Sequence, residues 1–137
     1  MITIDRYGEG SWRETQTESL LGKTLVSAEC TEASGSDAIH MVDSEGMEYV
    51  FYHYQNCCED VSIESVIGDL KDLVGTPITL AELSTKGEED PSGYGSNTWS
   101  FYKFATIKGY VDIRWYGSSN GYYSEEVDLV IKRKVLI

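Results

Sequence analysis

The hydrophobic positions between residues 63 and 74 recur at steps of three and four residues, with polar residues between them. This spacing is typical of an amphipathic helix that buries one face. Gly75 follows the segment, and a glycine commonly stands just after the end of a helix. The pattern therefore predicts a helix whose buried face consists of Ile63, Val66, Ile67, Leu70, Leu73 and Val74.

A shorter and more polar segment near the start of the chain has related features. Ser11 and Glu14 have the spacing of a capping box, in which each side chain accepts a hydrogen bond from the other residue's backbone N–H. One side of the helix that would follow consists of Trp12, Gln16 and Leu20. We therefore expect a second helix here.

Segments rich in β-branched and aromatic residues account for most of the remaining chain. Residues 25–30 and 78–83 have the composition of strands. Residues 38–54 and 99–117 each contain two such runs joined by a four-residue turn that ends in glycine, which is typical of a β-hairpin. Residues 84–97 are rich in Gly, Pro, Ser and acidic residues and are expected to form a long exposed loop.

The two halves of the chain share this order of elements. Gly22 and Gly75 end the two predicted helices, lie 53 residues apart, and are each followed by a strand and a hairpin. We therefore predict two copies of a helix, strand, hairpin and returning-strand unit, over residues 11–61 and 62–131. The predicted fold class is α+β: a single antiparallel, β-rich domain of 137 residues with two helices and an internal pseudo-duplication.

The chain is strongly acidic, with 23 acidic and 11 basic residues and a net charge of −12. This charge repels a phosphate backbone, so it argues against direct binding to nucleic acid and suits a partner with a basic surface. An acidic mimic of nucleic acid, competing for a basic groove, is also compatible with it. The ordinary explanation of the charge is that it keeps the protein soluble.

The compartment is indicated by what the sequence lacks. No apolar run has the length of a membrane span, and residues 1–5 do not show the basic and apolar regions of a secretion leader. We therefore expect a cytoplasmic protein without membrane contact, whose three cysteines are reduced by default.

The segment YHYQNCCEDVSIE, residues 52–64, contains the first candidate site. His53, Cys57, Cys58 and Glu59 have side chains that bind metals or support redox and nucleophilic chemistry, but the spacing His-x3-Cys-Cys is not a recognised zinc pattern. A disulfide between the adjacent cysteines would close a strained ring and could act as a switch. Two buried structural cysteines are the ordinary alternative.

The segment RWYGSSNGYYSEE, residues 114–126, contains the second candidate site. A tight turn at Asn120-Gly121 is flanked by aromatic residues, which are common both in strands and at the centres of protein interfaces. Its candidate binding residues are Arg114, Trp115, Tyr116, Asn120, Tyr122 and Tyr123. If the two halves pack about a pseudo-twofold axis, residues 52–59 and 115–124 lie on the same edge and form one composite surface.

Both segments resemble a family of small uncharacterised proteins found in bacteriophages and prophages, and the likeness covers about residues 20–130. Members of that family carry a His-x-Gln-Asp-Cys-Cys-Glu run. The matching residues here are His53, Gln55, Cys57, Cys58 and Glu59, while Asn56 replaces the acid. A role that needs a carboxylate at residue 56, such as metal coordination, is therefore disfavoured.

The resemblance implies an accessory protein of the phage type in the cytoplasm of the host cell. Small acidic proteins of this kind often bind a host protein or an antiphage defence factor. We therefore expect a non-enzymatic protein that acts by protein–protein interaction, including inhibition of such a factor, and assign no catalytic residue, metal or cofactor. A small-ligand, metal-binding or redox protein using the His-Cys-Cys-Glu segment is the alternative.

Overall fold

The structure, a computed structural model, describes residues 2–4, 11–89, 93 and 95–133. Nine strands and two short 3₁₀ turns, Thr17–Leu20 and Leu70–Leu73, make up the regular structure of these residues, which contain no α-helix. The strands are β1 (Arg13–Glu14), β2 (Leu25–Ala33), β3 (Ser36–Asp43), β4 (Met47–Tyr52), β5 (Asp60–Ile67), β6 (Leu80–Glu89), β7 (Ser96–Thr106), β8 (Gly109–Ser119) and β9 (Asp128–Arg133).

The strands form two antiparallel sheets. The five-stranded sheet has the order β1-β9-β4-β3-β2, and the four-stranded sheet has the order β5-β8-β7-β6. The two predicted hairpins are confirmed as β3-β4 and β7-β8. The α+β class is wrong, because the protein is an all-antiparallel β-sandwich.

The second predicted helix is mainly strand β5, and a β-bulge explains the error. β5 pairs with β8 from Asp60 to Ile67, and its register shifts between Ile63 and Ser65. The extra residue, Glu64, breaks the period of two, so the next core-packed residue after Ile63 is Val66. A strand with a bulge thus imitates the three-residue step of a helix, while β-branched residues favour the strand.

The remainder of that segment and the first predicted helix are also not α-helical. Leu70–Leu73 is a 3₁₀ turn that places Leu73 in the core. In the first half, Arg13–Glu14 is a short strand paired with β9, and Thr17–Leu20 is a 3₁₀ turn with Leu20 fully buried. Each segment therefore buries a leucine through a single 3₁₀ turn, where the sequence analysis expected an α-helix.

The predicted loop over residues 84–97 is shorter than expected. β6 continues to Glu89, and β7 begins at Ser96, its cross-strand partner. Residues 90–92 and 94 lie outside the described part of the chain. Pairing with β7 thus gives the backbone of residues 84–89 its hydrogen bonds, despite their polar composition.

The main core lies between the two sheets. Phe51 of β4 contacts Tyr102 and Phe104 of β7 edge-on, with ring centroids 4.9 and 5.6 Å apart. A second cluster lies on the outer face of the five-stranded sheet, where the first residues of the chain pack on it. That cluster contains Trp12, Ala33, Ala38, Val50, Tyr52 and Val130, with Ile2 and Ile4 against it. The five-stranded sheet is therefore covered on both faces.

The two sheets have equivalent strand orders. Strands β2, β3 and β4 form a meander in the five-stranded sheet, and β6, β7 and β8 form one in the four-stranded sheet. The strand after each meander pairs in the opposite sheet: β5, which follows β4, pairs with β8, and β9, which follows β8, pairs with β4. Each returning strand has thus crossed to the opposite sheet. The predicted duplication over residues 11–61 and 62–131 stays a prediction.

Candidate functional site

The two candidate segments meet at one end of the sandwich. Tyr52, the last residue of β4, pairs with Asp128, the first residue of β9. Asp60, the first residue of β5, pairs with Ser118 near the end of β8. The loops that connect these strands, residues 53–59 and 120–127, therefore emerge side by side. We call these two loops together the loop end.

A buried ion pair, His53 with Glu59, holds the first loop. The His53 Nε2 and Glu59 Oε1 atoms are 3.0 Å apart, and both side chains are almost fully buried. The other ring nitrogen, Nδ1, lies 2.6 Å from the backbone oxygen of Glu126. Each ring nitrogen therefore faces a hydrogen-bond acceptor, the Glu59 carboxylate at Nε2 and the Glu126 carbonyl at Nδ1. His53 thus ties the two loops together and has no nitrogen left for a metal.

The Glu59 carboxylate also organises the backbone of its own loop. It accepts hydrogen bonds from the N–H of Asn56 at 2.6 Å and the N–H of Cys57 at 3.1 Å. The bond from Asn56 lowers the pKa of Glu59 most, burial opposes it, and the His53 ring lowers it further, to about 2. The Gln55 amide donates to the backbone oxygens of Cys57 and Glu59 at 3.2 and 2.6 Å. The loop is thereby fixed from within.

A second buried carboxylate, Glu125, supports the other loop. It accepts hydrogen bonds from the hydroxyls of Ser96, Ser119 and Thr98 at 2.5, 2.5 and 2.8 Å. Burial raises the pKa of Glu125, but these three hydrogen bonds and the charge of His53 outweigh it, so the net shift is downward. Both loops therefore rest on buried, ionised carboxylates.

The two cysteines of the first loop form a disulfide, Cys57–Cys58, and both are exposed. The prediction that they are reduced is therefore not met in this structure. The third cysteine, Cys30, is free. In the described ranges, no group of three or more His, Cys, Asp or Glu side chains is placed to hold a metal ion. The predicted metal set of His53, Cys57, Cys58 and Glu59 is accordingly divided between a buried ion pair and an exposed disulfide.

The exposed surface of the loop end is rich in tyrosine. Tyr122 is 84% exposed and packs edge-on against Tyr123, with ring centroids 5.1 Å apart. The Asn120 side chain accepts a hydrogen bond from the N–H of Tyr122 at 3.0 Å and so shapes the turn. On the first loop, Tyr54 is 52% exposed. Each of the two loops therefore presents an exposed tyrosine to solvent.

The other three predicted residues lie on β8 and away from these loops. Trp115 is 1% exposed and belongs to the main core. Arg114 and Tyr116 point the opposite way, onto the outer face of the four-stranded sheet, because successive strand residues face opposite sides. The twelve predicted residues consequently belong to three places: the loop end, the core and the sheet face.

Three residues of the site were missed by the sequence analysis: Glu125, the Glu126 backbone oxygen, and Asp128, whose side chain accepts a hydrogen bond from the Tyr54 N–H at 3.1 Å. From the sequence alone, these acids contribute only to the net charge. The alternation along β8, with Val111, Ile113 and Trp115 inward, was a signal that places Trp115 in the core.

The fold and site define a class: an antiparallel β-sandwich whose loops at one end form an exposed aromatic surface over a buried His–Glu pair. The chain belongs to the DUF7448 family, a domain of unknown function, which matches residues 18–129. No curated protein and no solved structure matches it. In the described part of the chain, no helix has the length and hydropathy to cross a membrane.

Proposed function

We propose that this protein is a non-enzymatic binding module that recognises a partner protein through the loop end. The observation that carries the proposal is the hydrogen bond between the buried His53 ring and the Glu126 backbone oxygen, which joins the two loops that carry the exposed tyrosines. Tyrosines held on a fixed framework lose little conformational entropy on binding, and they are enriched among the residues that dominate protein interfaces.

We propose further that the partner is a host protein or an antiphage defence factor and that binding inhibits it. The support for this finer statement is the resemblance of residues 53–59 and 115–123 to phage and prophage proteins. The net charge of −12 favours a partner with a basic surface, since opposite charge accelerates association.

The test is an affinity capture from a lysate of cells that carry the gene, using three forms of the protein. Tyr122→Ala removes the most exposed tyrosine of the loop end. Tyr110→Ala is the matched control, since Tyr110 is 70% exposed and lies at the other end of β8. We expect one partner to be retained by the wild type and by Tyr110→Ala, and lost by Tyr122→Ala. Equal retention by all three proteins would count against the proposal.

The exposed disulfide favours a second candidate, a thiol–disulfide function of Cys57 and Cys58. A dithiol reductant would transfer two electrons and two protons to the disulfide, leaving two cysteine thiols and the oxidised reductant. Alkylation and mass spectrometry before and after dithiothreitol would detect the change. Full alkylation of Cys57 and Cys58 before dithiothreitol is added would contradict this function, since it would show that the two cysteines are already thiols.

The acidic mimic of nucleic acid also stays a proposal, supported by the net charge alone. It predicts binding to a nucleic-acid-binding protein that weakens steeply with added salt, since exposed charges are screened. Salt-independent capture would contradict it.

A further inference from the structure

The outer face of the four-stranded sheet has aromatic side chains in direct register. Trp99 of β7 lies opposite Tyr116 of β8, and their ring centroids are 5.1 Å apart. The next pair on the same face is Phe101 of β7 opposite Arg114 of β8. The first pair is only half-buried, so its rings are accessible. We call Trp99, Phe101, Arg114 and Tyr116 the aromatic face.

A hollow of about 310 Å³ opens at the first aromatic pair, lined by Ser62, Glu64, Trp99 and Tyr116. Glu64 is the extra residue of the β5 bulge. Bulges commonly re-aim a side chain next to a functional site. Here the bulge adds a carboxylate beside two aromatic rings, which is a set of groups that attracts a cation.

The protein's own Arg114 shows that this face binds a guanidinium. Its Cζ lies 5.4 Å from the centroid of Phe101, and its Nη1 lies 3.7 Å from Glu64. An adjacent groove of about 480 Å³ is lined by Arg114 and Lys103, and so contains cations already. In contrast, no described cationic group lies over Trp99 or Tyr116. Lys86 is opposite Trp99 on β6, but its ammonium pairs with Glu88 at 3.4 Å.

The corresponding face of the five-stranded sheet is covered. There Trp12 packs over the sheet, and the ammonium of Lys132 lies 5.7 Å from the centroid of its ring. A cation over an aromatic ring thus occurs on both outer faces. The two sheets differ because no described cation lies over the Trp99 and Tyr116 rings of the hollow, whose one carboxylate, Glu64, has Arg114 as a solvent-exposed neighbour.

We propose that this hollow binds an arginine side chain from a basic segment of a partner protein. The guanidinium would lie over the Trp99 and Tyr116 rings, and Glu64, which Arg114 approaches to only 3.7 Å, would accept hydrogen bonds from both guanidinium groups. The net charge of −12 adds a long-range attraction for such a segment. The site is on the sheet face and separate from the loop end, so it stands or fails independently of the proposed function.

The test measures the affinity of a short acetylated Gly-Arg repeat peptide by calorimetry, with the neutral citrulline peptide for comparison. We expect the arginine peptide to bind more tightly. Trp99→Ala should weaken its binding about threefold to thirtyfold, and Glu64→Gln about threefold. Tyr122→Ala should leave it unchanged, which separates this site from the loop end.

Two controls distinguish a built site from general charge attraction. Glu32→Gln removes an exposed carboxylate from β2 of the other sheet, and Tyr110→Ala removes an exposed ring outside the hollow. Both should bind the peptide like the wild type. Equal affinity of the wild type, Trp99→Ala and Glu64→Gln would overturn the proposal. A loss with Glu32→Gln as large as with Glu64→Gln would also overturn it.

Discussion

Replacing Trp115 by alanine should destabilise the protein strongly, although a tryptophan beside surface tyrosines in the sequence resembles a binding residue. Trp115 is 1% exposed and lies between Ile63 and Ser100 on the neighbouring strands. Truncating a buried tryptophan to alanine costs about 3–5 kcal/mol through lost transfer free energy and the cavity left behind. That is a large fraction of the about 5–15 kcal/mol that stabilises a typical domain.

A phenylalanine at the same position separates packing from hydrogen bonding. Among the described residues, the Trp115 Nε1 atom is buried without a hydrogen-bond partner. Trp115→Phe therefore loses no hydrogen bond, and we expect a cost of about 1–2 kcal/mol from the smaller ring. Tyr122→Ala, at a residue 84% exposed, should change stability by less than about 0.5 kcal/mol.

Urea unfolding at neutral pH measures all three variants. The urea concentration at the midpoint of unfolding should decrease in the order wild type, Trp115→Phe, Trp115→Ala. The dependence of the unfolding free energy on urea concentration should not change, because the surface exposed on unfolding stays nearly the same. A loss below about 1 kcal/mol for Trp115→Ala would refute the assignment of Trp115 to the core. So would a Tyr122→Ala variant that is destabilised equally.

Three further predictions concern the fold and the loop end. Asp43→Ala should lower the free energy of unfolding in urea by about 4 kcal/mol, because the buried carboxylate accepts hydrogen bonds from Glu45 N, Met47 N and Tyr49 OH. A loss below about 1 kcal/mol would contradict the turn described here. Gly68→Ala should lower the free energy of unfolding by about 3 kcal/mol, because φ is +99° and the new Cβ would overlap the Tyr110 backbone oxygen. Gly35→Ala, at φ +85° with open space around it, should lower it by only about 1 kcal/mol. Similar losses for the two variants would refute this difference. The pKa of Glu59 is lowered from 4.5 to about 2, so its contribution to stability is complete above pH 4.5 and is lost as the pH falls towards 2. In thermal melts over that range, the difference in Tm between the wild type and Glu59→Gln should become smaller as the pH falls. A difference in Tm that stays constant would argue against an ionised Glu59.

The hairpins were predictable because their signals are local. Gly46 and Gly109 both adopt positive φ at the turns where the sequence places them. Burial alternates along β8, whereas the last four residues of β4 are all buried because that sheet is covered on both faces. The helices were predicted wrongly because spacing along the chain does not reveal a bulge. Only the pairing with β8 shows that Glu64 is an extra strand residue and not part of a helical turn.

The site could be predicted only in part, for a related reason. The segment from His53 to Glu59 was identified by residue type, and its nearness to the Tyr122 loop was expected only if the two halves pack about a pseudo-twofold axis. The groups that fix the loops, the Glu126 backbone oxygen and the buried Glu125 carboxylate, depend on contacts between residues far apart in sequence. Composition alone cannot distinguish a buried, hydrogen-bonded acid from a surface acid.

Hydrogen exchange, compared with and without the captured partner, tests most directly whether the loop end is the binding surface. The account predicts that exchange slows in residues 53–59 and 120–127, while the β7–β8 turn at the opposite end is unchanged. Slowed exchange confined to segments outside the two loops, with both loops unaffected, would contradict it.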